Sequence, residues 1–195
     1  MKFVNKLTMV LAKIMEIILW IGVVGAMVIT IFSCIDFTTV SETVLKSGPI
    51  ENGNLTGYGL DINAMTATGE FNMSAAIIFF IGAMITFGLM AMVFRNVYLI
   101  MKKLSGKNKN NEVVSPFNKD IIRMTKEIGI FTIAVPVVCF ILSIIATAIS
   151  FANGTAAEIS VNISLESIMI ALVSFCLTNV FTYGASLEND VDGLV

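Results

Sequence analysis

"AAIIFFIGAMITFGLMAMVF", residues Ala75 to Phe94, is a run of 20 residues without a charge. About 20 apolar residues in helical form cross a hydrocarbon core of about 30 Å. Three further runs have the same character: Ile17–Ile35, Ile128–Ala152 and Ser167–Leu187. Hydrophobic residues make up 56% of the chain and charged residues 13%, where a soluble domain carries about 25% charged residues. That is too apolar for one water-soluble core. In hydrocarbon the backbone must satisfy its own hydrogen bonds, and a helix does so within one segment. The sequence therefore predicts an all-α integral membrane protein, a four-transmembrane-helix bundle with spans at about 14–35, 75–101, 128–152 and 167–187.

The basic leader (Lys2, Lys6, Lys13) ahead of the first run resembles the start of a signal peptide. The apolar core is longer than the usual 7–15 residues, and "SCIDFTTVSE" offers no small-x-small cleavage site, so the run is expected to be retained as a span. Histidine is absent, which removes the commonest general base and metal ligand. Cys34, Cys139 and Cys176 are far apart in sequence and odd in number, so they suggest packing residues rather than a metal site or a disulfide framework. No phosphate-binding glycine motif or nucleophile elbow is present. "ENDVDG" at 188–193 ends before the glutamate that a calcium loop requires. The expectation is a non-enzyme without cofactor or metal.

Eleven of the twelve Lys and Arg residues precede the first run or lie between the second and third, and only Lys46 follows the first. The positive-inside rule then places both termini in the cytoplasm. Outer loops are expected at 36–74 and 153–166, a cytoplasmic loop at 102–127 and a cytoplasmic tail at 188–195. Glycines and asparagines punctuate the long outer loop. "GYGLDINAMTATGEF" (57–71) can hold two short strands. "AAEISVNIS" (156–164) alternates, with Ile159, Val161 and Ile163 on one face. Pairing of these segments would make a small extracellular β cap; the alternative is two ordinary connecting loops. Asn54, Asn72, Asn153 and Asn162 stand in N-x-S/T sequons, but the Lys-, Asn- and Ile-rich composition looks bacterial, and glycosylation is not expected.

Within the spans, Gly22, Ala26, Thr30 and Cys34 recur every four residues, a stripe of small side chains that lets another helix approach. Gly82 with Thr86, and Ser174 with Thr178, repeat the pattern. Such a stripe serves equally as a bundle contact or as a homodimer face. Pro136 removes one backbone hydrogen bond and is expected to bend the third span. No charge lies at the centre of any span, which argues against a secondary pump.

In the cytoplasmic loop, "SPFNKDIIRMTKEIGIF" opens with Ser115 as the expected N-cap and Pro116 as the first helical residue. Ile121, Met124, Thr125 and Ile128 then line one face, an amphipathic helix suited to the lipid surface or to a docked partner. Together with "FTYGASLENDVDGLV" (Phe181–Val195), this loop resembles the bacterial four-span membrane family catalogued as domain of unknown function two-nine-seven-five. Pro116, Phe117, Asn118, Arg123 and Gly129 carry the first resemblance, and Phe181, Gly184, Leu187, Asp190, Asp192 and Gly193 the second. Such proteins are commonly encoded beside a small Cro/repressor-type helix-turn-helix regulator. The resemblance implies a membrane-bound sensor that sequesters or modulates that regulator, without touching nucleic acid itself. The expected partner-binding residues are Pro116, Phe117, Asn118, Arg123, Glu188, Asp190, Asp192, Gly193 and Leu194. The acids could instead dock on Lys119, Arg123 and Lys126 of the same chain. A different function class, a small non-enzymatic component of a transport or efflux assembly, remains open at this level.

Overall fold

The structure, a computed structural model, describes residues 2–35, 54–63, 72–105, 115–152, 159–162 and 165–192. The elements in order are α1 (Lys2–Ile35), β1 (Asn54–Gly57), β2 (Leu60–Asn63), α2 (Met73–Ser105), α3 (Lys119–Ala152), β3 (Ile159–Val161) and α4 (Leu165–Asp192). All four helices are long and apolar enough to cross a membrane. Their large apolar side chains are widely exposed, among them Ile21 at 65%, Phe140 at 55% and Met169 at 65%. Exposed apolar surface on this scale suits lipid rather than water.

Residues divide into two compact units. One comprises 20–88 and 135–164. It holds an antiparallel three-stranded sheet of order β1-β2-β3. Asn54 pairs with Asn63 and Gly57 with Leu60; Leu60 pairs with Val161 and Ile62 with Ile159. The two expected loop segments thus do join in one small sheet. The hairpin sits earlier than the alternation suggested, and the second half of that stretch, 64–71, lies outside the described residues.

The hairpin turn uses positive φ at both central residues, 43° at Tyr58 and 93° at Gly59. That backbone matches the twist of the flanking strands. It is natural for Gly59 and unfavourable for Tyr58. Tertiary contacts hold Tyr58 in place. Its hydroxyl donates to the Phe79 carbonyl at 2.5 Å, and its ring packs on Phe79 with centroids 5.1 Å apart. Its own carbonyl accepts from the Cys139 thiol at 3.4 Å. Burial above all, with Cys139 beside it, pushes the phenol above its usual range, so the group stays a donor. Gly82 makes room for this: a Cβ there would lie 2.8 Å from Leu142 Cδ1 and under 3.0 Å from the Tyr58 hydroxyl. Beneath the sheet, Leu55, Leu60 and Ile62 pack with Ala75, Ala76, Ile78, Leu142 and Ala146 as one buried cluster. Asn72 caps α2, its side-chain oxygen accepting from the Ser74 and Ala75 amides at 3.1 and 3.3 Å; the second sequon thus contains a helix cap.

The other unit comprises 1–19, 89–134 and 165–195. Ala12, Ala91, Ile121, Met124 and Ala171 are buried in it, as are Ser174 and Thr178. Gly129 faces the Phe175 ring, where a Cβ would come within 2.8 Å.

Helix hydroxyls mostly bond back to their own helix. Thr30 donates to Ala26, Thr132 to Ile128, Ser174 to Ile170 and Thr178 to Ser174, each at 2.7 to 2.8 Å. A hydroxyl in hydrocarbon satisfies itself most cheaply in this way. On α1, Ala26 is buried and Gly22 meets Phe87. Ser33 is buried and Cys34 exposed, so the buried position at the end of that stripe falls one residue earlier. Gly82 and Thr86 are both buried. Helix α3 runs through Pro136.

Candidate functional site

The two stretches that carry the family resemblance meet within one unit. Ser115–Asn118 is a tight turn, with the Asn118 amide donating to the Ser115 carbonyl at 3.2 Å. Proline suits its second position because its φ is already set. The Ser115 hydroxyl accepts from the Phe117 amide at 3.2 Å. Helix α3 therefore begins at Lys119, and its cap is Asn118, whose side-chain oxygen accepts from the Asp120 amide at 2.9 Å. The expected cap at Ser115 moves three residues on, because Ser115 and Pro116 are used by the turn.

The turn aims Phe117 at α4. The ring covers Gly184 so closely that a Cβ at Gly184 would lie 2.6 Å from Phe117 Cδ1. It also meets Phe181 edge to face, with centroids 6.3 Å apart. The Ser115 hydroxyl donates to Glu188 at 2.9 Å. Loop and tail are thus joined by an aromatic ring in a glycine notch and by one charge-assisted hydrogen bond. Glu188 and Asp190 belong to helix α4, which continues to Asp192 and makes the start of the acidic tail helical.

The same unit holds several polar pairs. Lys103 pairs with Asp120. Glu127 accepts from Asn96 at 3.1 Å and from Arg123 at 3.4 Å. Lys13 pairs with Glu16 at 2.9 Å and lies over the Tyr98 ring at 5.2 Å. Asn96 and Glu16 are each only 7% exposed. The apolar face of α3, Ile121, Met124 and Thr125, is buried in protein, so this stretch does not lie free on a lipid surface.

The expected partner-binding residues divide accordingly. Phe117 is half-buried in the clasp, and Asn118 and Glu188 are engaged in the bonds above. Pro116, Arg123 and Asp190 are exposed. Among the described residues, no ion pair joins Glu188 or Asp190 to Lys119, Arg123 or Lys126. Gly193 and Leu194 lie outside the described residues, as does the Asp192 side chain. Sequence reasoning missed Glu16 and Asn96. Both stand within helices read as apolar spans, and their partners lie on a neighbouring turn or a distant helix. No group of three potential metal ligands occurs among the described residues. No family model matches the chain, and no curated protein or solved structure matches it.

Proposed function

We propose that the chain is a multi-pass protein of the bacterial cytoplasmic membrane, with both termini inside, that binds and modulates a cytoplasmic helix-turn-helix transcriptional regulator. The observation that carries this reading is the clasp. Phe117 in the Gly184 notch and the Ser115–Glu188 bond make one surface from the basic loop and the acidic end of α4. The distribution of Lys and Arg supports a cytoplasmic position for that surface. Asp190, two residues from Glu188 on the same helix, is exposed. Acids that cover the basic face of a small DNA-binding protein compete directly with phosphates for it. Each exposed ion pair would contribute only about 0–1 kcal/mol, so several must act together.

The test is co-purification from membranes of the encoding organism in mild detergent. The intact chain retains a small helix-turn-helix protein; Asp190→Lys and a chain ending at Ser186 lose it. If folded intact chain retains no such protein, the reading fails. A second reading, a small non-enzymatic component of a transport or efflux assembly, is favoured by Glu16 and Asn96, which are buried near the charged ends of the apolar runs of α1 and α2, since polar groups within membrane helices often line ion paths. Solute flux in liposomes that depends on Glu16 would support it over the first.

A further inference from the structure

The small sheet has two unlike faces. Alternation turns Leu55, Leu60 and Ile62 into the buried cluster. It turns Asn54, Thr56, Asp61 and Asn63 away from that cluster, and these four, together with Ser160 and the apolar Ile62 and Ile159, line a cavity of about 470 Å³. That volume lies in the small-molecule range of about 300–1,000 Å³. The register sets the chemistry. Asp61 on the central strand pairs with Thr56 on one neighbour and Ser160 on the other. A carboxylate is thus flanked by two hydroxyls, and Asn54 stands two pairs along, on the same face. Asp61 Oδ2 accepts from the Asn162 amide at 2.7 Å. No cationic side chain pairs with Asp61 among the described residues.

We propose that this polar face is a binding site for a small organic molecule carrying one protonated amine. Asp61 is its charge partner, and Thr56, Ser160 and Asn54 supply neutral hydrogen bonds. The described lining holds no Lys or Arg to attract an anion and no aromatic ring to stack a sugar. One carboxylate among neutral oxygens matches one ammonium better than a divalent cation, which takes several hard oxygen ligands and usually more than one carboxylate. The segments 36–74 and 153–166 carry seven acids against one lysine, which favours approach of a cation.

The inference deepens the regulator reading by naming the class of molecule sensed, and it rests on that reading for its biological meaning. Binding is measured on the protein alone, so its failure leaves the regulator contact standing, and loss of the regulator leaves the amine site standing. Saturation-transfer NMR on the intact chain in phosphatidylglycerol nanodiscs, with ethanolamine as probe, is the test. Ethylene glycol and glycolate, of similar size, are the neutral and anionic controls. Ethanolamine should show saturable transfer and the controls none. Asp61→Asn keeps an oxygen for Asn162 and should weaken ethanolamine about tenfold or more. Ser160→Lys, at an exposed position, places an ammonium beside Asp61 and should also displace the probe. Loss of the ethanolamine signal in phosphatidylethanolamine discs would identify the lipid headgroup as the source of the amine; persistence would identify a soluble amine. Absence of saturable transfer, equal binding of glycolate, or binding that survives both substitutions in folded protein overturns the proposal.

Discussion

Gly184 and Phe117 form a pair in which each explains the other. Alanine at Gly184 would push its methyl into the Phe117 ring, and overpacking of this kind costs about 1–3 kcal/mol. Once the ring is gone, the same change is neutral or stabilising by up to about 1 kcal/mol, because glycine weakens a helix. Gly184→Ala should therefore lower the thermal midpoint in the parent and not in a Phe117→Ala background. Equal effects in both would remove the clasp. Tyr58 is a second residue with one defined task. Tyr58→Phe deletes the bond to the Phe79 carbonyl and should cost about 1 kcal/mol. An unchanged midpoint in detergent would show that the turn is held by the ring alone.

At the scale of elements, α2 and α3 are tied by Asn96 and Glu127. Glu127→Ala leaves a buried amide without its acceptor and should cost about 1–3 kcal/mol. Replacing Asn96 and Glu127 together by leucine should cost less than Glu127→Ala alone, measured by denaturant unfolding in micelles. Additive losses would contradict this account. The start of α2 allows a simpler measurement: Asn72→Ala removes a cap and should cost about 1 kcal/mol.

The helices were legible in sequence because freedom from charge is a property of the segment itself. Their ends were less so. Ser115 and Asn118 are both good caps, and the choice between them depends on the turn that Pro116 favours. The hairpin at Asn54–Asn63 was displaced from its sequence reading for a related reason. Its turn is Tyr58–Gly59 rather than Asn-Gly, and Tyr58 is held at positive φ by Phe79, Cys139 and the space over Gly82. None of those contacts is local. The alternation of Ile159 and Val161 was plain, because each residue of a short strand simply changes sides.

For the whole molecule, the proposed reading would have the clasp in the cytoplasm and the polar sheet outside, on the distribution of Lys and Arg alone. The two candidate sites would then sample different compartments. The proposed sensing role requires that separation, because its input and output would lie on opposite sides of the membrane. The direct measurement uses chains freed of Cys34, Cys139 and Cys176, with one cysteine introduced at Asn54 or at Asp190, labelled in intact cells by a membrane-impermeant maleimide. With that topology, Asn54→Cys is labelled at once and Asp190→Cys only after the cells are permeabilised. Labelling of Asp190→Cys in intact cells, or of both positions from the same side, would contradict it.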